Sequence, residues 1–294
     1  MNRSNESRAR ISRRILWNKI VEKIFFLATL FGIIVLAILL LRIFFQGKDY
    51  LRLDFLLNYA SRKPELAGLK AAIAGTIWMM AMIIPVSLSV GVGTAIYLEE
   101  YAPKNKWTTF IEMNISNLAG VPSIVFGLLG LTVFVRILGM GRSVLAGGLT
   151  MSLLILPVIV VASQEAIRSI PAEQYEASYA LGATKWQTIQ TVVLPAAIPG
   201  ILTGAILALS RSVGETAPLL MMGAMTFIAY LPENVFSSFT VIPIQIFNWA
   251  GRPQEDFQSV AAAGSIVLLV FLLIMNSAAI FIRNKFSKRY KGNK

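Results

Sequence analysis

The chain has 294 residues, 56% of them hydrophobic and 14% charged, with a mean hydropathy of +0.67; globular domains carry roughly 45–50% apolar and about 25% charged residues, so most soluble classes are excluded. There is no cysteine and no histidine, which removes disulfide frameworks, zinc sites, thiol nucleophiles and imidazole bases. The net charge of +12 is compatible with nucleic acid or an anionic membrane as partner, and the location of the charges decides between them.

Six stretches are long and apolar enough to cross a bilayer, which takes about 20 residues. They run over Ile24–Leu41, Ala71–Leu98, Met113–Val135, Ser143–Ala162, about Ile198–Met225, and Phe257–Ile282. The second and sixth carry no charge; the fifth holds two. All are expected to be helices, because a lipid-exposed strand leaves its backbone unpaired, and the period-2 alternation of a membrane barrel is absent. The expected fold class is an all-α membrane protein of six transmembrane helices. Its organisation is an arm over 1–23, one six-span membrane domain over 24–283 and a basic tail over 284–294.

An even number of spans puts both termini on one side. The arm carries Arg3, Arg8, Arg10, Arg13, Arg14, Lys19 and Lys23, and the tail carries Arg283, Lys285, Lys288, Arg289, Lys291 and Lys294. Lys104, Lys106, Arg168 and Lys185 fall on the same side, so most of the 27 basic residues lie there. The positive-inside rule then places both termini in the cytoplasm, and topology explains the basicity without nucleic acid. Ile11, Ile15, Leu16 and Ile20 recur at helical spacing beside Trp17, as in a short helix on the inner membrane surface; a disordered arm is the alternative up to Arg10. The first apolar run lacks a small-residue cleavage site and is expected to stay as a span.

With this orientation 164–197 is a large cytoplasmic loop and 226–256 a large outside loop, in which Glu233, Glu255 and Asp256 read as solvated surface. In the cytoplasmic loop, Pro171 suits a first helical position. Glu173 and Glu176 suit the positive end of the macrodipole, and Gly182 suits the left-handed residue after a helix end. Thr184 followed by Gln187 is a capping-box pattern, and Pro195 is expected to interrupt the chain before the fifth span. Two short helices joined at Gly182 follow. With only Arg168 and Lys185 against three glutamates, the loop lacks the cations of a phosphate-binding DNA face.

Glu176-Ala177-Ser178, then Gly182, then Val192-Val193-Leu194-Pro195 resembles the EAA motif of ABC-importer permeases, with Ser178 for alanine and Val192 for isoleucine. The resemblance implies that Glu176, Ala177, Ser178, Gly182, Leu194 and Pro195 belong to a coupling helix seated in a cytoplasmic ATPase subunit. The chain has no G-x-x-x-x-G-K-[ST] loop of its own, so it is expected to be no enzyme and to need a separate ATPase. No cofactor is expected.

In the fifth span, Arg211 and Glu215 are four residues apart and on a helix would share a face. An arginine at the bilayer centre costs at least about 2.5–3.5 kcal/mol and by default marks a bundle interior or a watery path. Ser212 adds a hydroxyl. Pro218 would leave the Gly214 carbonyl without a donor. Gly200, Gly204 and Ala208 lie near the same face and permit a close helix approach. A static ion pair pinning two helices is one reading; a charged gate for an anion is the other, since the planar donors of arginine fork onto an oxyanion. Gly120 and Pro122 in the third span read either as a packing kink or as a helix break beside a cavity.

Ser210–Leu220 resembles the R-x-x-G-E-T-A-P-L-L signature of phosphate-importer permeases, and Gly120-Val121-Pro122-Ser123-Ile124-Val125-Phe126-Gly127-Leu128 resembles their G-V-P-S-I-V-x-G-L segment. The likeness is to the PstA-type subunit and implies the type I, MetI-like permease architecture. It implies phosphate as cargo, with Arg211, Glu215, Ser212, Gly120, Pro122 and Ser123 on its path. The implied partners are a homologous PstC-type second permease, a cytoplasmic ATPase dimer, an extracytoplasmic phosphate-binding protein and the lipid bilayer of a bacterial inner membrane. The same architecture carrying phosphonate, sulfate or molybdate is the alternative, and a secondary anion transporter or channel the alternative from another class.

Overall fold

A computed structural model describes residues 2–225 and 227–291, with side chains from residue 14 to 287 within that range. Every regular element among the described residues is helical. The expected arm and first span form one continuous helix, α1 (Asn2–Gly47). The side chains of Arg3, Arg8, Arg10, Ile11 and Arg13, those of Lys288, Arg289, Lys291 and Lys294, and the predicted loop start at Thr226 lie outside the described residues. After a short helix, α2 (Leu53–Leu57), the second span is α3 (Lys70–Ile96), which ends in a π-helical turn over Tyr97–Tyr101. Among the described residues five helices are long and apolar enough to cross a membrane, or six if one bent pair is counted as a single span.

That bent pair is the third span. It is broken between α4 (Lys106–Leu118) and α5 (Ser123–Gly130), whose axes differ by 102°. The break falls on Gly120-Val121-Pro122, because proline disfavours helical geometry in the residue before it. A helix bend of this size at membrane depth is tolerated where neighbouring protein or water meets the freed backbone groups.

The fourth span is α6 (Val144–Arg168), the central helix of the bundle. α3 lies parallel to it: Met82 faces Gly148, Gly91 faces Ile159 and Glu99 meets Arg168. Two helices α7 (Ala172–Ala180) and α8 (Lys185–Thr188) follow, then α9 (Leu194–Gly214). α9 runs antiparallel to α6. Cβ atoms placed on Gly200 and Gly204 would lie 2.8 and 2.3 Å from the Ala166 and Ala162 methyls, so both glycines let the backbones approach. The buried stripe continues through Ala208 to Ser212, not to Arg211.

Two expectations for this segment are corrected. Pro195 does not interrupt the chain. A π-helical turn over Ile189–Val193 joins α8 to α9 without a break, and its wider winding accommodates the missing proline N–H at the first turn of α9. The fifth span also does not run to Met225. It ends at Gly214, Glu215 is extended (φ −75°, ψ 128°), and a separate short helix, α10 (Ala217–Met222), begins after it.

The expected outside loop is largely folded into the bundle. Leu145 N–H donates to the Val235 carbonyl (2.8 Å), Val144 N–H to Ser237 (3.1 Å) and Met225 N–H to Phe239 (3.1 Å). The next helix, α11 (Ile242–Ala250), is buried along Ile242–Gln245 and at Trp249. Trp249 packs on Phe55, with ring centroids 5.7 Å apart, and on Phe257. Glu233, Glu255 and Asp256 remain exposed, as expected. The last span, α12 (Glu255–Lys291), runs antiparallel to α9. Ser210 hydrogen-bonds Asn276, and Arg283 donates to Thr203 (3.4 Å), two polar rungs one heptad apart.

Candidate functional site

α7 and α8 form the helical hairpin that the sequence predicts. Gly182 has φ +83°, and its N–H bonds to the Tyr179 carbonyl (2.9 Å) while that of Ala183 bonds to Ser178 (3.2 Å). This is the paired closure of a Schellman motif, which needs a left-handed residue at that place. Thr184 and Gln187 make the reciprocal capping box. The Ser178 and Thr188 hydroxyls hydrogen-bond across the hairpin (2.9 Å) and are buried. Ser178 therefore holds the hairpin closed, while Glu176 and Ala177 face out. Leu181 is 89% exposed at the tip, flanked by exposed Tyr179 and Trp186. Leu194 and Pro195 are half-buried at the base, beside the Ala95, Ile167 and Val193 cluster.

The second group of predicted residues lies where α9 ends. Arg211 Nε is 3.3 Å from Glu215 Oε1. The pair does not sit on one helix face; it straddles the end of α9, with the cation in the last turn, where the macrodipole favours it. The helix end itself, and not Pro218, leaves the Gly214 carbonyl without a helical donor, because Pro218 stands in the first turn of α10, where no N–H is needed. The Ser212 hydroxyl is buried and has no protein partner. Continuing the register of Gly200 on Ala166 and Gly204 on Ala162 puts Arg211 beside the middle of α6. Its side chain is nevertheless 63% exposed, pointing away from the chain's own core.

Gly120, Pro122 and Ser123 lie in and just after the kink between α4 and α5, with Gly120 and Pro122 exposed. Among the described residues no hydrogen bond or ion pair joins them to Arg211 or Glu215. The two signature segments meet one turn further on. A Cβ on Gly127 would lie 2.6 Å from the Pro218 carbonyl oxygen and 2.7 Å from Pro218 Cα, so α5 and α10 touch backbone to backbone.

The sequence reading missed a polar cluster at the α7 end of the bundle. Glu99 in the π-turn receives Arg168 Nε (2.8 Å) and Nη2 (2.6 Å) on its two oxygens, and Gln164 Nε2 (2.8 Å). Glu112 Oε1 of α4 accepts from Gln164 Nε2 and from Arg168 Nη2, each at 3.4 Å. The neighbouring Glu100 accepts the Tyr175 hydroxyl (2.9 Å) on its carboxylate, and its carbonyl accepts Lys185. Burial and then the Glu100 hydrogen bond raise the Tyr175 hydroxyl above the usual phenol range; like any phenol it is a donor at neutral pH. Adjacent acids closing a charge-free span were the available signal.

Comparison with known proteins bears on the whole chain. Residues 87–291 match the family described as "Binding-protein-dependent transport system inner membrane component". The Probable ABC transporter permease protein YqgI of Bacillus subtilis is 34% identical over 263 residues, covering 85% of this chain and 90% of its own. The phosphate transport system permease protein PstA of Xylella fastidiosa is 31% identical over 284 residues, covering 96% and 98%. A chain of the bacterial alginate ABC transporter, in complex with its periplasmic protein, superposes with a TM-score of 0.66 at 16% identity, covering 93% of this chain and 98% of that one. A chain of the inward-facing MetNI methionine ABC transporter gives 0.60 at 18%, covering 74% and 95%. The expected MetI-like importer fold is therefore borne out.

Proposed function

Because this chain belongs to the family of binding-protein-dependent transport system inner membrane components, we propose that it is the PstA-type permease subunit of an ATP-driven importer of inorganic phosphate. The observation that carries the reading is the place of Arg211: in the last turn of α9, beside the middle of α6, on an open face, with Glu215 as its ion-pair partner among the described residues. A guanidinium facing hydrocarbon costs several kcal/mol, so this face is covered by protein or lines water. A homologous PstC-type permease supplies the cover, and the seam between the two subunits is the anion path. The near relatives named for phosphate transport support the cargo, as does the R-x-x-G-E-T-A-P-L-L pattern around Arg211.

The basic termini and the α7–α8 hairpin face the cytoplasm of a bacterial inner membrane; the segment from Gly223 to Gln254 faces out, toward a phosphate-binding protein. ATPase subunits engage Glu176, Ala177 and the Leu181 tip. Gly182 sets the hairpin angle, and Leu194 and Pro195 root it in α9. The chain itself makes and breaks no bonds. Closure of the ATPases moves α7 and α8 and, through α9, reorients Arg211. The forked donors of Arg211 hold a tetrahedral oxyanion, and Glu215 competes for them, so the anion is released. Ser212 offers a hydroxyl beside Arg211, and the Gly120–Ser123 break gives the path a bend where backbone groups are free.

The test is uptake. The chain is reconstituted in vesicles with its cognate second permease, ATPase and binding protein, and ATP-dependent entry of labelled phosphate is measured against excess sulfate, molybdate, phosphonate and unlabelled phosphate. Competition by unlabelled phosphate alone is expected. Competition by sulfate, molybdate or phosphonate but not by phosphate overturns the cargo, and uptake without ATP or the ATPase would favour a secondary transporter.

A further inference from the structure

The polar cluster around Glu99 and Glu100 is not used by the pathway or by the hairpin surface, yet it joins them. Successive residues of an α-helix point about 100° apart, and the wider π-turn over Tyr97–Tyr101 turns less per residue but still sends neighbours to different faces, its closing bond running from Ala102 N–H to the Tyr97 carbonyl (2.8 Å). Glu100 therefore faces the hairpin. It holds α7 through the Tyr175 hydroxyl and α8 through Lys185, whose ammonium also sits 5.1 Å over the Tyr101 ring. Glu99 faces the bundle. Arg168 and Gln164 of α6 are clamped on its carboxylate, which is only 13% exposed, and both reach on to Glu112 of α4.

We infer that the Glu99–Glu100 turn is a mechanical relay that carries hairpin movement into the middle of α4 at Glu112, and so to the Gly120–Pro122 break after the C-terminal end of that helix. The inference rests on the reading of α7–α8 as the surface that the ATPase engages. Two features make the turn suited to transmission. The Arg168–Glu99 contact is a two-bond fork, which fixes direction as well as distance. The Tyr175 donor is neutral and so holds Glu100 without an opposite charge to be screened by salt. Glu99, Glu100, Arg168 and Tyr175 are thus positioning residues, and none of them needs to touch the cargo.

The test separates hydrolysis from transport in the reconstituted complex. Tyr175→Phe removes one hydroxyl, and Glu99→Gln loosens the fork. Each variant is expected to assemble and hydrolyse ATP at near the wild-type rate. Phosphate moved per ATP falls about fivefold or more, the lower end of ordinary coupling energies. The double variant is expected to lose little more than either single, because both cut one path. If Glu99→Gln fails to assemble, Tyr175→Phe alone decides. Unchanged phosphate per ATP, or parallel loss of hydrolysis and uptake in an intact complex, overturns the relay.

A second readout does not depend on the cargo. The chain has no native cysteine, so in a complex whose partner subunits are made cysteine-free, spin labels on Glu173→Cys and Thr109→Cys report only the α7–α4 distance. A single narrow distance through the ATP cycle that broadens with Tyr175→Phe supports the relay; a distribution indifferent to that substitution sinks it. Failure of wild-type phosphate uptake with this behaviour intact would instead overturn the cargo assignment.

Discussion

Gly127 lies against Pro218 so closely that a single methyl group does not fit: its Cβ would stand 2.6 Å from the proline carbonyl oxygen. The two residues are 91 positions apart and belong to the two segments that resemble phosphate-importer signatures. Their contact locks α5, below the kink, onto α10, just beyond Glu215. Gly127→Ala should therefore force the two helices apart at a cost of about 1–3 kcal/mol, the usual scale of overpacking. The expected result is a lower Tm of the purified permease and reduced uptake. Gly93→Ala, where a Cβ meets nothing within 4 Å, is the control and should leave both unchanged.

Arg211 and Glu215 form a long contact whose guanidinium is open, although the Glu215 side chain is only 19% exposed, and pairs open to water contribute no more than about 1 kcal/mol to stability. Arg211→Ala is expected to leave Tm and assembly near wild type. Uptake should fall about tenfold or more, as one charge-assisted contact of roughly 1.5–3 kcal/mol is lost. Arg211→Lys should recover only part of it, because an ammonium lacks the planar fork. A large fall in Tm with uptake retained would identify a static ion pair instead.

Gly182 holds a left-handed conformation at the hairpin turn, with no atom within 4 Å of a Cβ position. Substitution there tests backbone strain alone. Gly182→Ala should destabilise the turn by about 1–2 kcal/mol and weaken ATPase binding, measured by co-purification. Gly182→Asn should be milder, since asparagine tolerates the left-handed region. Gly182→Pro should abolish binding, because it cannot take a positive φ.

The α6–α9 contact offers a size swap. Gly204→Ala would bring two methyl groups to about the 2.3 Å found for a Cβ against Ala162, and should lower Tm. Adding Ala162→Gly should return most of the loss, because the volume is moved across the interface and not increased. Thermal unfolding in detergent of both singles and the double reads the coupling directly. Additive losses would show that the two residues do not share the space.

Local chemistry was legible wherever a few neighbouring residues decide the structure. The Schellman turn at Gly182, the Thr184–Gln187 capping box, the break at Gly120–Pro122 and the close approach at Gly200 and Gly204 all follow from residue types and short spacings. The end of the fifth span was misread because Val213 to Met222 is apolar enough to prolong a helix, and hydropathy does not register the extended backbone at Glu215. The segment after Gly223 was misread for a similar reason. Its Val235 and Ser237 carbonyls accept from the N–H groups of Leu145 and Val144, more than 80 residues earlier, and no local signal announces that.

The sequence by itself determined the class of molecule: an all-helical membrane protein with several apolar spans, a helical hairpin between two of them and one arginine within the fifth apolar run. These properties rest on hydropathy, spacing and charge, which are additive along the chain. Only the tertiary structure decided which faces meet. It placed Ser212 inward and Arg211 outward, joined the two signature segments at Gly127 and Pro218, and clustered Glu99, Glu112, Gln164 and Arg168 from three helices. The physical reason is that close packing and desolvated hydrogen bonds depend on the relative rotation and offset of whole helices, which a one-dimensional pattern leaves free.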